Sequence, residues 1–228
     1  MKKSFYCLAV ALPIFVASYA QEKSVAKGAD QADLGFGIGS SQASITASYL
    51  HDWKIGEKKN FSIGTGARFT SFFGKDVAFL SAPASLAKDE NSVDTLNYPS
   101  PSVNALNVFI NLGYTITPKL MAGFNIDVAG FSFGKNSNAN FISNGITQAT
   151  TAKPTGFNLL LVGNNDRGSL NSQFYLKYLI SQHFGVKVAY QYLFTEVTTE
   201  TKVQLIPEQN DRFRNKASMG YVGITYNF

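Results

Sequence analysis

The chain closes on the residues Tyr221-Val222-Gly223-Ile224-Thr225-Tyr226-Asn227-Phe228. From Val222 onward the even positions are aliphatic or aromatic, whereas positions 223, 225 and 227 are small or polar. Successive side chains of a β-strand point to opposite faces of the sheet. This alternation therefore predicts a strand with one apolar face and one polar face.

Seven earlier segments alternate in the same way. They cover residues 32–39, 43–53, 61–73, 104–116, 119–133, 171–181 and 184–197, and the eighth covers residues 216–228. Most of them approach or exceed the ~9–11 residues with which a tilted strand crosses a bilayer. After residue 20 no apolar run is long enough for a membrane-spanning helix. We therefore expect an all-β chain.

The connections between these segments alternate in length. Residues 54–60, 117–118 and 182–183 are short connections, whereas residues 74–103, 134–170 and 198–215 are long ones. Short periplasmic turns and long extracellular loops are typical of outer-membrane barrels. A soluble β-sandwich, the competing fold, has no reason to collect its long loops at one end. The pattern predicts an antiparallel, up-and-down transmembrane β-barrel of eight strands, with both termini in the periplasm.

Two apolar stretches leave alternatives open. The run Phe157–Val162 lies inside the second long loop, where we expect a hairpin, but a ten-strand barrel follows if this run spans the membrane. Phe131 and Phe133 fall on the inward register of the fifth segment. A β-bulge near Gly130 could turn them outward.

The first residues have the organisation of a secretory signal. Lys2 and Lys3 precede an apolar run from Phe5 to Val16, and Ser18-Tyr19-Ala20 forms a small-residue cleavage site. We expect a signal peptide over residues 1–20 and a barrel domain over residues 21–228. The single cysteine, Cys7, lies in the signal, so the mature domain has no thiol for a disulfide or a metal.

The composition is only mildly basic. The formal charge of +5 becomes +3 without Lys2 and Lys3, which is too small to indicate nucleic-acid binding.

Four charged side chains face inward in the predicted register: Arg68, Asp127, Lys177 and Lys187. The interior of an eight-stranded barrel is just filled by side chains. A lone charge in that interior costs several kcal/mol unless it is paired. We expect Asp127 to pair with Arg68 or with one of the lysines inside a satisfied polar plug. A gated ion path or a binding site is the alternative.

Catalytic and metal-binding residues are scarce. The two histidines, His51 and His183, both fall near the periplasmic rim, and neither has a serine at a spacing that places its hydroxyl beside the imidazole. His51-Asp52-Trp53 is interpreted as a rim cluster with Trp53 at the level of the lipid headgroups. No group of residues has metal-ligand spacing. We expect no enzyme activity and no cofactor.

Three cations precede the last segment. Arg212, Arg214 and Lys216 alternate in the same register as its lipid-facing side chains, so they should project outward at the extracellular rim. Guanidinium groups suit phosphate oxygens, and we expect these cations to contact lipopolysaccharide. The alternative is an ordinary charged rim that includes Glu208 and Asp211.

From about Ala32 to Phe228 the chain resembles the outer-membrane β-barrel-domain proteins of Gram-negative bacteria, a broad class that includes small eight-stranded barrels. The likeness rests on the signal peptide and on the strands Leu106–Ile116, Phe184–Phe194 and Gly220–Phe228. It implies insertion into the outer membrane by the barrel-assembly machinery. It implies no particular activity.

Three functional hypotheses follow. The first is a non-enzymatic membrane protein whose barrel anchors the long loops at the cell surface, for envelope structure, adhesion or interaction with an extracellular partner. The second is a narrow channel or conduit for small ions or small apolar molecules, lined in part by Phe109, Leu193 and Tyr221. The third is a lipid-modifying enzyme.

Overall fold

A computed structural model describes residues 28–161 and 165–228. The expected signal peptide, residues 1–20, lies outside the described residues. The described part is almost entirely β-strand, with one short 3-10 helix at Glu90–Ser92. No helix in these two ranges is long and apolar enough to cross a membrane. The strands are β1 Ala29–Gly39, β2 Gln42–Ile55, β3 Phe61–Gly74, β4 Val77–Ser81, β5 Thr95–Tyr98, β6 Ser102–Thr117, β7 Leu120–Phe133, β8 Ser137–Ser143, β9 Ile146–Pro154, β10 Phe157–Leu159, β11 Leu170–Leu179, β12 Phe184–Thr199 and β13 Arg212–Asn227.

The long strands form a closed antiparallel ring, called here the barrel. Its order is β1-β2-β3-β6-β7-β11-β12-β13, and β13 returns to pair with β1. Each segment predicted from alternation coincides with one of these strands to within a few residues, and the largest difference is the start of β13 at Arg212. Gln31 pairs with Asn227, so the first and last strands meet at one end of the barrel, called here the terminal end.

The barrel wall is apolar on the outside and polar on the inside. Large apolar side chains such as Phe36, Val188 and Ile224 are exposed on the outer face. The inner face buries Arg68, Asp127 and many amide and hydroxyl groups. This arrangement reverses that of a water-soluble protein, and it suits an outer wall that contacts hydrocarbon.

A second closed ring stands on the opposite end of the barrel and is called here the cap. β13 pairs with β4 at Phe213–Ser81, β4 with β5, β5 with β8, and β8 with β9. β9 then pairs with β12 at Pro154–Val197, and β12 pairs with β13. Much of residues 74–103 and 134–170, expected as loops, is therefore β-sheet that shares two strands with the barrel.

The cap has an apolar core of its own. Buried side chains from its strands and from the β12–β13 connection form one cluster with the upper barrel residues Phe72, Val103, Leu193, Ala217 and Met219. The cap members of the cluster are Val77, Phe79, Leu96, Tyr98, Ala139, Phe141, Ala152, Val197, Val203 and Phe213. Asn97 and Asn140 occupy alternate, outward positions of the cap strands and are not buried. The cap is therefore built as a water-soluble β-structure.

A β-bulge in β7 turns two phenylalanines outward. Val108 pairs with Ala129 and Phe109 pairs with Asp127, so Val128 is the extra residue. Beyond it Phe131 and Phe133 lie on the outer face, 52% and 48% exposed. Of the two alternatives for these residues, a bulge near Gly130 is therefore the one observed, with Val128 as the extra residue.

The apolar run at residues 157–162 does not add a long strand within the described residues. β10 has three residues and pairs with Ala129–Phe131 of β7. Leu159 also forms an antiparallel bridge with Arg167, two residues before the Ser169–Leu170 entry into β11. Val162 lies outside the described residues.

Candidate functional site

The inward side chains of β3 and β7 build a closed polar cluster around Arg68 and Asp127. Arg68 Nε and Nη2 donate to Asp127 Oδ1 at 2.9 and 2.5 Å, and both side chains are almost fully buried. The remaining donors of Arg68 reach Asn125 Oδ1 at 2.7 Å and the carbonyl oxygen of Asn171 at 2.6 Å. Asn107 Nδ2 donates to Asp127 Oδ2 at 2.8 Å. Asp127 was expected to pair with Arg68 or with one of the lysines, and its partner in the structure is Arg68.

The two inward lysines lie in a separate cluster nearer the terminal end. Lys187 Nζ forms an ion pair with Asp33 Oδ2 at 2.9 Å and lies 4.9 Å from the centre of the Tyr175 ring. Lys177 donates to the side-chain oxygen of Gln31. The alternative pairing of Asp127 with a lysine is therefore not the arrangement observed. Asp33, which the sequence reasoning missed, faces inward from β1 between the outward positions 32 and 34, and the same alternation could have found it.

Some interior polar groups have no protein partner. Among the described residues, Gln191 Nε2 and Thr225 Oγ1 have no hydrogen-bond partner, although both residues are buried. Buried amides and hydroxyls usually find a partner, so this part of the interior is suited to ordered water.

The upper end of the interior is apolar. Phe72, Leu193 and Met219 point inward near the cap and belong to the same buried cluster as the cap core. Phe109 lies below them, with the Arg68 guanidinium 4.9 Å from its ring centre. A path that enters from the terminal end therefore meets a packed hydrocarbon layer.

The two histidines lie at the terminal end, where the sequence placed them. His51 Nδ1 is 2.6 Å from Asp30 Oδ1, and its ring packs edge-on against Trp53 at 4.7 Å. Asp52 was expected in this rim cluster but is not part of it. It faces inward and accepts a hydrogen bond from Asn111 Nδ2 at 3.0 Å. His183 Nδ1 lies 2.9 Å from the carbonyl oxygen of Asn227.

The described residues contain no group of three or more histidine, cysteine or acidic side chains that could hold a metal ion. Both imidazoles have hydrogen-bond partners within the fold, Asp30 for His51 and the Asn227 carbonyl for His183.

The cations before the last strand are tied to a buried glutamate. Arg212 Nε and Arg214 Nη2 lie 2.9 and 2.8 Å from the two carboxylate oxygens of Glu196, and both guanidinium groups also donate to the carbonyl oxygen of Asp166. Lys216 is exposed, with Nζ 5.9 Å from the centre of the Phe194 ring. Lipopolysaccharide contact at these cations stays a prediction, with Lys216 the most accessible of the three.

Glu196 was not identified from the sequence. It occupies an outward position of β12 directly opposite Arg214 in the strand register. Cross-strand register is the signal that could have found it.

The tip of the cap exposes three large aliphatic side chains. Ile146 is 72% exposed, Leu205 is 64% exposed and Ile206 is 82% exposed. A cleft of about 330 Å³ lies among the β8–β9 turn, the 3-10 helix and the β12–β13 connection. Its lining residues are Asn91, Ser92, Asp94, Phe141, Ser143, Asn144, Val203, Leu205, Ile206 and Pro207.

Burial within the cap raises the pKa of Tyr98 above its ordinary value. Its hydroxyl donates to the carbonyl oxygen of Ala152 at 2.9 Å, which ties β5 to β9 across the cap. Tyr98 therefore serves the cap core as a neutral side chain.

No family model and no curated protein matches the chain. Solved structures that resemble it are outer-membrane β-barrel proteins. Neisserial surface protein A is 10% identical, with 88% of this chain and 97% of that chain covered and a TM-score of 0.40. The Yersinia pestis outer membrane protein Ail is 10% identical, with 89% and 100% covered and a TM-score of 0.40. The Pseudomonas putida toluene transporter TodX is 8% identical, with 87% and 89% covered and a TM-score of 0.26. At these identities the likeness concerns the fold alone.

Proposed function

We propose that the protein is a non-catalytic, integral outer-membrane β-barrel that holds a folded cap at the cell surface. The eight long strands β1, β2, β3, β6, β7, β11, β12 and β13 span the membrane in this proposal. The observation that carries it is the reversal of polarity between the two rings. The barrel exposes aliphatic and aromatic side chains and buries charges, whereas the cap buries its apolar side chains. One ring suits hydrocarbon and the other suits water.

The proposed orientation places both chain ends in the periplasm. The connections at the terminal end, such as residues 118–119 and 180–183, are short, and the cap stands on the other end. Short turns on the periplasmic side and longer structure outside are the rule for bacterial outer-membrane barrels. Insertion by the barrel-assembly machinery belongs to the same proposal.

The proposed role of the cap is binding to a partner outside the cell. Ile146, Leu205 and Ile206 lie beyond the upper ends of β12 and β13, so they stand away from the membrane. Exposed aliphatic side chains that cluster in water mark interaction surfaces. Asp94 lines the adjoining cleft, and Glu90 and Glu208 are sequence neighbours of other residues that line it. A protein surface with aliphatic and basic groups therefore complements this tip.

Attachment tests this role. Non-adherent cells that carry the protein are compared with cells that carry Leu205→Ser/Ile206→Ser, on surfaces coated with extracellular-matrix proteins. We expect the double variant to lose attachment. The matched control is Ile55→Ser, which removes an exposed aliphatic side chain at the terminal end. Equal attachment by the double variant and the unchanged protein would overturn the role of the tip.

A narrow conduit is the second candidate function. The unpaired Nε2 of Gln191 and Oγ1 of Thr225 favour water in the interior. The apolar layer of Phe72, Leu193 and Met219 opposes passage through the upper end. We expect no current steps from the purified protein in planar bilayers, and regular steps would favour the conduit instead.

Lipid modification is tested separately, because the proposal includes the absence of catalysis. Both histidines have structural partners at the terminal end, Asp30 for His51 and the Asn227 carbonyl for His183. We expect the lipid A mass spectrum to be the same with and without the protein. A new mass that disappears in His51→Ala would show an enzyme.

A further inference from the structure

The upper part of β9 has a neighbouring strand on one side only. On that side it pairs with β8 over residues 146–152, whereas its register with β12 on the other side covers only residues 152–154. One further bond on the β12 side joins Glu200 N to the Thr151 carbonyl oxygen. Among the described residues, no strand pairs with this side of residues 146–150. This stretch is called here the free edge.

The hairpin geometry shows which backbone groups point to the free edge. In an antiparallel pair, the N–H and C=O groups of successive residues point to alternate sides of the strand. The Thr151 carbonyl oxygen points away from β8, because it accepts a hydrogen bond from Glu200 N. The backbone groups of Thr147 and Ala149 have the same parity and therefore point to the free edge. The tight two-residue turn at 144–145 agrees, since it directs the first residue of β9 toward β8.

The free edge lacks the features that usually prevent strand pairing. Natural edge strands carry charged side chains, proline or bulges that keep other strands away. The sequence of this edge is Ile146-Thr147-Gln148-Ala149-Thr150, without charge, proline or glycine, and its register with β8 is regular. The first four of these side chains are exposed. The edge is therefore suited to pair with another strand.

A second copy of the same chain fits this edge. Two copies of one edge that are related by a two-fold axis form a closed, antiparallel pair. Thr147 then exchanges backbone hydrogen bonds with Ala149 of the other copy, and Gln148 lies opposite its own equivalent. Like charges directly opposite each other would destabilise such a pair, and this edge carries none. The register covers residues 146–150 only, so the added strand stays clear of β12.

The two-fold axis also fixes the relative orientation of the two barrels. In an antiparallel pair of identical strands this axis is perpendicular to the sheet. The sheet of the cap continues the barrel wall through β12 and β13, so the two-fold axis is also perpendicular to the barrel axis. Rotation about it reverses the direction of the barrel. Two copies paired in this way have their caps together and their barrels pointing apart, in two membranes that face each other.

We propose that the free edge of β9 pairs with the same edge of a second copy on a neighbouring cell, and that the protein thereby joins cells to one another. Each pair of copies contributes a few backbone hydrogen bonds, and many copies on each surface make the contact multivalent. This inference rests on the proposed function, because only a cap outside the cell meets the cap of another cell. It goes beyond that function because the partner is this same chain and the contact uses the backbone of β9.

Cell aggregation tests the pairing, with the full chain carried by cells that do not aggregate without it. We expect cells with the unchanged protein to settle as aggregates. Cells with Gln148→Lys should stay dispersed, because two lysines then lie opposite each other, and cells with Gln148→Glu should do the same. A mixture of these two kinds of cell should aggregate again, because each lysine then faces a glutamate. The matched control is Asn138→Lys, which adds the same charge at an exposed position of β8 and should leave aggregation unchanged.

Three outcomes of this experiment would overturn the inference. Aggregation of cells that carry Gln148→Lys alone would show that the free edge is not used. Equal loss of aggregation in Asn138→Lys would mean general charge repulsion between cells. A mixture that stays dispersed would rule out the two-fold register. Limited proteolysis checks that the cap of each variant is folded.

Ala149→Pro tests the same edge through the backbone. Proline removes an N–H group that points to the free edge, and it leaves the hydrogen bonds between β8 and β9 in place. We expect cells with this variant to stay dispersed. Aggregation as strong as that of the unchanged protein would contradict pairing through the backbone of β9.

Failure of this inference and failure of the proposed function are distinguishable by cell fractionation. The unchanged protein should be found with the outer membrane, and its absence from that fraction would refute the membrane anchor itself. Unchanged protein in the outer membrane of cells that stay dispersed would refute only the pairing of β9. Attachment of single cells to coated surfaces tests the separate role of Leu205 and Ile206.

Discussion

The barrel and the cap are two rings that share β12 and β13. The polarity of the inward and outward side chains of these strands differs between the two rings. In the barrel β12 points Lys187 and Gln191 inward, whereas in the cap it points Val197 inward. Its outward side chains change in the opposite sense, from Val188 to the buried ion pair of Glu196. The backbone and its pairing stay the same. The difference agrees with the proposed change of surroundings, from hydrocarbon around the barrel to water around the cap.

The largest effect is expected from breaking the buried ion pair of the barrel. Arg68→Met leaves Asp127 buried without its cation, which should destabilise the protein by about 3–5 kcal/mol. Urea unfolding in lipid vesicles measures this, with the fluorescence of Trp53 as the signal. The control is Arg68→Met/Asp127→Asn, in which the amide oxygen still accepts from Asn107 and which should recover most of the loss. A single variant as stable as the unchanged protein would show that the pair is dispensable.

A core substitution in the cap should cost somewhat less and should act locally. Leu96 is fully buried in the cap, and Leu96→Ala should lower the stability of the cap by about 3 kcal/mol through lost burial and a cavity. Limited proteolysis reads out cap opening, and heat-dependent gel mobility reads out the barrel. We expect faster cleavage in the cap with the barrel still folded. Equal loss in both readouts would mean that the two rings unfold as one unit.

The same substitution on the two outer faces compares their surroundings directly. Val188→Arg places a charge near the middle of the apolar wall and should cost about 2–3 kcal/mol in lipid vesicles. Asn138→Arg on the outer face of the cap should change stability by less than ~0.5 kcal/mol. Unfolding of both variants in the same vesicles gives the comparison. Equal effects would show that hydrocarbon does not cover the barrel.

The smallest effect on stability is expected at the tip of the cap. Ile206→Ser removes an aliphatic side chain that is almost fully exposed, so the free energy of unfolding should change by less than ~0.5 kcal/mol. Denaturant unfolding of the purified variant checks this. A large loss would place Ile206 in the packing of the cap and would remove the basis for its role in binding.

Strand positions in the barrel could be predicted because each strand has an apolar outer face and a polar inner face. Phe184–Phe194 alternates cleanly for this reason. The cap strands are short, between four and nine residues for β4, β5, β8 and β9, and side chains such as Ala78 and Ala149 break their alternation. Their pairing depends on contacts distant in sequence, such as Thr95 with Ile142. Residue patterns alone do not encode such contacts.

Among the charged residues, the face of the strand could be predicted from the sequence, whereas the ion-pair partner could not. Arg68 and Asp127 could be placed inside the barrel because alternation gives the face of a strand. The partners of Arg212 and Lys187 could not be named, because partner choice depends on the height of each strand in the ring. Glu196 meets Arg212 and Asp33 meets Lys187 only once that register is known.

β12 and β13 stay paired from Phe184–Tyr226 at one end to Thr198–Arg212 at the other. A pulling force on the cap would therefore be transmitted to the barrel along two continuous, paired strands. Force along paired strands loads all of their hydrogen bonds together in shear instead of opening them one at a time. The cap should therefore stay folded and joined to the barrel when flow pulls on it.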